Sequence, residues 1–308
     1  MRLPATKPYV LIDLCDEEDP TRGDCNAYRN LGRLFAEKTG KEWVCVEDND
    51  RCRTILGQRG LPDTVFSFKN RPEYNDTYHV YEFNENLSYY ANSNVEEELV
   101  SHHVTARLLE EERHKFKERY PDNGNRLIAL MNIEYDKPSQ EKTAEKLADM
   151  IAASDNPKTT IFVCGIWRTE RLAQIDMLHH LKSSIEARNM TQDVEILSYS
   201  MSRDFNERAS QYNPYLGLIA SADHFVILGH SMSIVSECLM SGKTLMLINN
   251  HNHDRLIDQG LCDRLTAINP SNGFPTRSIE PVNITSAVVD GLIRHYRMHE
   301  AAKAPQPS

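Results

Sequence analysis

Short apolar runs that never alternate with polar residues constrain this chain more than any other feature. Ile161-Phe162-Val163 and Phe225-Val226-Ile227-Leu228 are the clearest cases. A strand with one wet face alternates apolar and polar side chains. A run without alternation is covered on both faces, as in a parallel sheet between two layers of helices. Short apolar, β-branched or aromatic runs, several of them of this continuous kind, give strands at 9–14, 43–47, 65–68, 78–83, 127–133, 160–164, 194–199, 224–228 and 244–248. Between them lie stretches with helical spacing. In 30–38, Leu31, Leu34 and Phe35 share a face; in 142–153, Leu147, Met150 and Ile151 do so. In 170–188 the face is Leu172, Ile175, Leu178 and Ile185. Strand and helix alternating over nearly the whole length predict an α/β chain built on parallel sheets flanked by helices.

At roughly 100–200 residues per domain, 308 residues suggest two. The charged helix 108–119 is followed by Tyr120-Pro121-Asp122-Asn123-Gly124-Asn125, whose proline and glycine end it. The expected domains are therefore 1–122 and 123–301, with a disordered tail at 302–308 that is small, polar and proline-containing. A second composition shift, 270–281, precedes the amphipathic segment 284–298. The sequence does not decide whether that segment crosses back over the first domain.

Composition narrows the partners. Lys and Arg number 35 against 45 Asp and Glu, a formal net charge of −10, so the basic stripe that nucleic-acid binding needs is not expected. Charge alone would not hold the chain on anionic lipid either, although peripheral membrane contact stays open. No stretch approaches the roughly 18 uncharged apolar residues of a membrane span. The best candidate, 216–229, is interrupted by Asp223 and His224. At the N-terminus Val10-Leu11-Ile12 is followed at once by Asp13, which is not a secretory signal. The seven cysteines are scattered and contain no C-x-x-C pair, which points to core thiols in a reducing cytoplasm.

The most informative stretch is 213–243. Asn213 is a helix cap and Pro214 suits a first helical position, where its missing N–H goes unused. A short helix leads into the strand 224–228, which ends at Gly229. His230-Ser231-Met232-Ser233 then opens another helix, and Gly242 supplies its left-handed terminus. A strand, a small-residue turn and a helix N-terminus at the carboxyl edge of a sheet make an anion seat. Free N–H groups and the helix dipole both point at it. The hydroxyls of Ser231 and Ser233 would add two donors. Glu237 stands four residues after Ser233 and six after Ser231, so the capping-box spacing of three fits neither. Two roles stay open: a solvated first-turn glutamate, or an acceptor for paired hydroxyls such as those of a ribose.

This stretch resembles the signature of bacterial proteins similar to the plant mitochondrial-fission (elongated-mitochondria) factors. Their pattern reads approximately N-P-Y, then A-D, then D-S-x-S-M-x-S-E, then T-G-K-P. Asn213, Pro214, Tyr215, Ala222, Asp223, Ser231, Ser233, Ser236, Glu237, Gly242 and Lys243 fall on it. The match covers 127–264 well and the N-terminal part weakly. Trp167-Arg168-Thr169 stands where the family has R-R-T, and Arg22-Gly23-Asp24-Cys25-Asn26 stands at its G-x-x-N-Q turn. Gly23 and Asn26 match there, with Ala27 in place of the glutamine. Ser101-His102-His103-Val104-Thr105 resembles an H-R-x-T element, with Thr105 as helix cap. Other departures are Asn132 and Glu134 in place of a glycine pair, His230 in place of an aspartate, and Thr244 in place of the proline. A glycine pair lets backbone approach a phosphate, so its loss weakens one side of that pocket.

The resemblance implies a GT-B glycosyltransferase: two Rossmann-like domains facing across a cleft, the second holding a nucleotide-sugar donor. Ser231, Met232 and Ser233 would receive the diphosphate, with Asn213 and Tyr215 beside them. Glu237 would take the ribose hydroxyls, and Arg168 would offset charge on the leaving diphosphate. His102 would be the base for an unknown acceptor hydroxyl, and Gly23 and Asn26, in the acceptor-side first domain, would also contribute to nucleotide-sugar binding. Its rival reading is a helix-end residue, since 95–99 has helical pattern. No cofactor and no metal are expected. The pairs His102-His103 and His179-His180 are adjacent, His251-Asn252-His253-Asp254 lacks further ligands, and Asp16-Glu17-Glu18-Asp19 reads as a solvated loop. Two other functions fit the same residues: an interaction or adaptor protein that keeps the fold without catalysis, and a sugar-nucleotide epimerase.

Overall fold

The computed structural model describes residues 8–15, 23–67, 74, 77, 79–82, 99–121, 123–134, 136–155, 158–165, 169–202, 207, 210–248 and 253–303. In chain order the elements begin with β1 (Tyr9–Asp13), α1 (Gly23–Thr39), β2 (Glu42–Val46), α2 (Asn49–Arg59), β3 (Thr64–Ser67) and β4 (His79–Glu82). Next come α3 (Ala106–Arg119), β5 (Arg126–Met131), α4 (Lys137–Ala152), β6 (Thr159–Gly165), α5 (Arg171–Ala187) and β7 (Val194–Ser200). The chain continues with α6 (Tyr215–Ser221), β8 (His224–Ile227), α7 (Met232–Leu239), β9 (Leu245–Leu247), α8 (Asp254–Asp258) and β10 (Cys262–Arg264). It ends in α9 (Ile284–Lys303).

Packing divides the chain into two compact units, Met1–His103 with Asn283–Ser308, and Val104–Val282. This corrects the expected boundary at 122/123. α3 belongs to the second unit because its Phe116 packs on Phe162, with ring centroids 6.0 Å apart. In addition, Arg113 donates from Nε to the carbonyl of Ala220 at 3.0 Å. α9 belongs to the first unit instead. Its Tyr296 meets Phe35 edge-on at 5.7 Å, and its Asp290 pairs with Lys38 at 2.7 Å. Nor does the expected tail start at 302: alanine and lysine favour helix, and α9 runs on to Lys303.

The first unit, among its described residues, has a four-stranded parallel sheet in the order β2-β1-β3-β4. Its central strand β1 is wholly buried, and Tyr9, Leu11, Val46, Val65 and Tyr74 form the core on one face. On the other face α1 lies close, with Phe35 packed edge-on against Phe66 at 5.7 Å.

The second unit, again among described residues, has a six-stranded parallel sheet in the order β10-β9-β8-β5-β6-β7. Counted within the unit this is 6-5-4-1-2-3, the doubly wound Rossmann order seen from its other edge. Ile128, Leu130, Ile161, Val163, Val226 and Met246 pack on α4 and α5. The intervening Met131, Phe162 and Phe225 are equally buried on the opposite face. There Tyr120 of the α3 end meets Phe162, and Cys238 of α7 meets Met131. Burial on both faces is why these strands carry no polar alternation. Each such side chain contributes about 1.5–3 kcal/mol. One helix face needs correction. α5 buries Ala173, Gln174, Met177, Leu181 and Ile185, whereas Leu172 and Ile175 are exposed.

Candidate functional site

In a doubly wound sheet the winding reverses between two neighbouring strands, and a crevice opens beyond their carboxyl ends. Here those strands are β5 and β8. The crevice is therefore bounded by 132–134 and 228–231, and its geometry begins with Asn132. That residue has φ +52°, the left-handed region that glycine prefers and asparagine tolerates. With its carboxamide oxygen turned toward the turn after β8, it accepts from the N–H of His230 at 3.0 Å and of Ser231 at 2.9 Å. The Glu134 carboxylate also accepts from the His230 N–H, at 2.8 Å. A second contact joins the His230 ring Nε2 to Glu134 at 3.5 Å. Gly229 is required there: a Cβ would lie 2.7 Å from the Asn132 carbonyl and against both the Asn132 carboxamide and the Glu134 carboxylate.

The expected anion seat is thus closed from within. Asn132 holds a left-handed backbone and sets its carboxamide against the N–H groups that would otherwise face the seat. Ser231 stands at the N-cap position of α7 without a side-chain capping bond, its hydroxyl 3.0 Å from that of Ser233; both residues are half-buried. Met232 opens α7, and its carbonyl accepts from Ser236 Oγ at 2.8 Å.

Glu237 is 7% exposed and accepts a hydrogen bond from the hydroxyl of Tyr215. Burial first, and then the Glu237 charge, hold the Tyr215 phenol well above its ordinary pKa. Asn213 caps α6 as expected, its Oδ1 accepting from the Tyr215 N–H at 3.0 Å. The solvated-glutamate reading is therefore corrected. The ribose role is not what the geometry displays either, since the carboxylate is engaged inside the unit.

Other signature residues hold the fold. Asp223 ties β8 to β5, accepting from the Leu127 N–H at 2.9 Å while its own N–H donates to the Leu127 carbonyl at 2.8 Å. Lys243 donates to the carbonyl of Ala222, and Gly242 takes the expected left-handed turn at φ +74°.

In the first unit, Gly23 opens α1 and Asn26 accepts from Arg29 Nη1 at 2.5 Å. Ala27 is buried. His102 is 1% exposed. Its N–H donates to Thr285 Oγ1 at 2.9 Å, and its carbonyl accepts from Thr285 Oγ1 at 2.7 Å and Asn30 Nδ2 at 3.2 Å. A base must reach the proton it removes, so this burial corrects the catalytic assignment of His102. Thr105 caps α3 as expected, accepting from the Leu108 N–H at 3.1 Å. Arg168 and the acidic run 16–19 lie outside the described residues.

A cavity of about 350 Å³ opens beside the closed corner, on the α4 face of the sheet. Glu134, Asp136, Ser139, Lys142, Lys146 and His230 line it. Lys146 donates to the Thr266 carbonyl at 2.9 Å, and burial lowers its pKa. Glu134 keeps 44% of its side chain exposed. Lysines and an imidazole beside two carboxylates can take a ligand that carries both negative charge and hydroxyl groups. Except as departures from a pattern, these residues give no motif. Their sequence signal was positional: they follow the first strand of a doubly wound unit.

Among the described residues one buried cluster of metal-ligating types occurs, Asp13, Cys15 and Cys52, with ligand atoms within 4.8 Å of one another. The Asp13 carboxylate accepts from Tyr74 Oη at 2.5 Å, Ser67 Oγ at 3.3 Å and the Cys15 N–H at 3.0 Å. Those three donors account for the buried charge without an ion. Six of the seven cysteines are buried.

No protein-family model matches the chain, and no curated protein matches it. Among solved structures it is similar to a glycosyltransferase from Rickettsia africae ESF-5. That pair has 10% identity and a TM-score of 0.37, covering 98% of this chain and 100% of the other. It is also similar to an α,α-trehalose-phosphate synthase (UDP-forming) from Burkholderia xenovorans in complex with glucose-6-phosphate. There the identity is 9% and the TM-score 0.39, over 97% of this chain and 73% of that one. A third is a periplasmic sugar-binding protein of an ABC sugar transporter from Legionella pneumophila, at 11% identity and TM-score 0.26 over 94% and 96%. None of these likenesses reaches a level that assigns an activity.

Proposed function

We propose that this chain is a GT-B-type glycosyltransferase of the mitochondrial-fission-like family, its second unit binding a nucleotide-sugar donor at the switch point. The observation that supports this is the cavity between the ends of β5, β8 and α4, where doubly wound sheets take their ligands. Lys142 and the His230 ring meet the diphosphate. Glu134 and Asp136 accept from ribose or sugar hydroxyls, the role first given to Glu237. In the transfer, the bond between the anomeric carbon and the diphosphate oxygen breaks. The acceptor oxygen forms the new bond, and its proton passes to a base that is not His102.

A hydrogen bond to a charged acceptor is worth about 1.5–3 kcal/mol, so Glu134→Ala should weaken sugar-nucleotide binding by about 10- to 150-fold. Isothermal titration with UDP-, GDP-, CMP- and ADP-linked sugars measures it. Tighter binding by the variant would mean that Glu134 only blocks the corner. No binding of any donor to the wild type at millimolar concentration would sink the transferase reading. Product analysis with a labelled donor and candidate acceptors separates transfer from epimerisation.

One observation favours a second reading, a non-catalytic interaction protein that retains the fold. The His230 and Ser231 N–H groups are already engaged by Asn132 and Glu134, and Glu237 by Tyr215.

A further inference from the structure

The histidine spacing that matters chemically lies outside every site considered so far. His295 and His299 stand four residues apart on α9, which places them on one face a single turn apart. Their ring centroids are 4.4 Å apart with planes inclined at 63°, and their Nε2 atoms approach to 3.1 Å. With metal–nitrogen bonds of about 2.0–2.1 Å, that separation subtends roughly 95–102° at a shared ion. The angle falls between the octahedral value of about 90° and the tetrahedral value of about 109°.

Further ligand types gather at the same end of the helix. Glu300 follows directly, and its Oε1 lies 4.0 Å from Nε2 of His79 on β4. The His79 ring is 5.8 Å from that of His299. Lys41 is engaged with Asp63 and with the Tyr296 hydroxyl, the latter at 2.6 Å.

We infer that this end of α9 is a divalent transition-metal site, with Nε2 of His295 and of His299 as its two protein ligands. Imidazole donors suit Zn²⁺, Ni²⁺ and Cu²⁺, whereas Mg²⁺ demands oxygen. The site is independent of the switch-point cavity and belongs wholly to the first unit.

The test is isothermal titration of the tag-free full chain with ZnCl₂ and with NiCl₂ at neutral pH. Wild type, His295→Gln, His299→Gln and the controls His180→Gln and Cys15→Ser are compared. His180 sits beside His179 in sequence, and the two ring centroids are 6.0 Å apart. Saturable binding of one ion is expected. Removing a ligand should cost at least the tenfold or so that loss of an outer-shell partner costs, so each α9 variant should weaken binding about tenfold or more. His180→Gln and Cys15→Ser should bind as the wild type does. Absence of saturable Zn²⁺ and Ni²⁺ binding overturns the inference. So does binding that survives both α9 variants and is lost in Cys15→Ser, which would place the ion at the Asp13 cluster. His299 is exposed at a helix end, so the variant is expected to keep the wild-type circular dichroism spectrum.

Discussion

His224 opens β8, the strand that carries the switch-point turn, and pairs there with Ile128 of β5. Its ring stacks on Phe274 at 4.8 Å with planes inclined by 24°, and the Arg126 guanidinium lies 5.0 Å from the same Phe274 ring. Burial, then Arg126, push the imidazole pKa down from 6.5 to about 4. Lys243 adds to the fall and Asp223 opposes it. The folded value lies below the unfolded one, so between them the unfolded chain binds the extra proton. The contribution to stability is therefore full above pH 6.5 and is lost as pH falls through 4. At about 1.36 kcal/mol per pKa unit, the cost is about 2 kcal/mol at pH 5 and about 3 kcal/mol at pH 4. His224→Phe keeps a ring against Phe274 and removes the titration. Between pH 7 and pH 5, urea unfolding should show the wild type losing about 2 kcal/mol more than this variant, with the other titrating groups cancelling. Proton NMR of the His224 ring supplies a direct reading. A midpoint near 6.5, or parallel stability profiles for the two proteins, would refute the reasoning.

Three other substitutions test the packing of the second unit. Tyr215→Phe removes a donor from the buried Glu237 carboxylate and should cost about 2 kcal/mol in urea unfolding; under 0.5 would mean that another donor suffices. The Tyr215 contribution itself is full below pH 10, the ordinary tyrosine value, and should be lost as pH rises toward its higher folded value. Gly217→Ala would set a Cβ 2.6 Å from Cβ of Phe116, which cannot move without its helix, and should cost about 1–3 kcal/mol; a silent substitution would show α3 and α6 to be loosely packed. Asn132→Gly keeps the left-handed backbone and removes the carboxamide, so hydrogen exchange at the Ser231 amide should quicken about fivefold, the equivalent of about 1 kcal/mol. Unchanged exchange would show that Asn132 does not hold the turn.

What the sequence disclosed depended on distance along the chain. The apolar runs became strands because burial on both faces leaves its mark within each run. β10 escaped because three residues at a sheet edge, Cys262-Asp263-Arg264, form no run. α2 escaped because its helix surface buries Cys52 and carries no apolar stripe; its signal was Asp48, whose side chain caps the Arg51 N–H at 2.7 Å. The turn 120–125 was read as a domain boundary because proline and glycine end a helix wherever it packs. Contacts distant in sequence, Phe116 with Phe162 and Arg113 with the Ala220 carbonyl, settle that α3 belongs to the second unit.

The corner at Gly229 shows the same limit at the site. A strand, turn and helix N-terminus were legible at 224–239, and the structure has them. What closes the corner comes from 96 residues away, where Glu134 reaches the His230 N–H. In sequence, Asn132 and Glu134 read as lost glycines and a weakened pocket. In three dimensions asparagine is among the few residues able to hold φ +52° without the strain a β-branched side chain would suffer. It therefore preserves the turn while supplying the acceptor that a phosphate would otherwise provide. An N–H pair satisfied internally at 2.9–3.0 Å gives up those bonds before it can gain others, so a diphosphate there gains little net free energy. On the α4 side Lys142 is exposed and Glu134 partly exposed, so the donor proposed for that cavity would meet these side chains without displacing the Asn132 carboxamide from the turn.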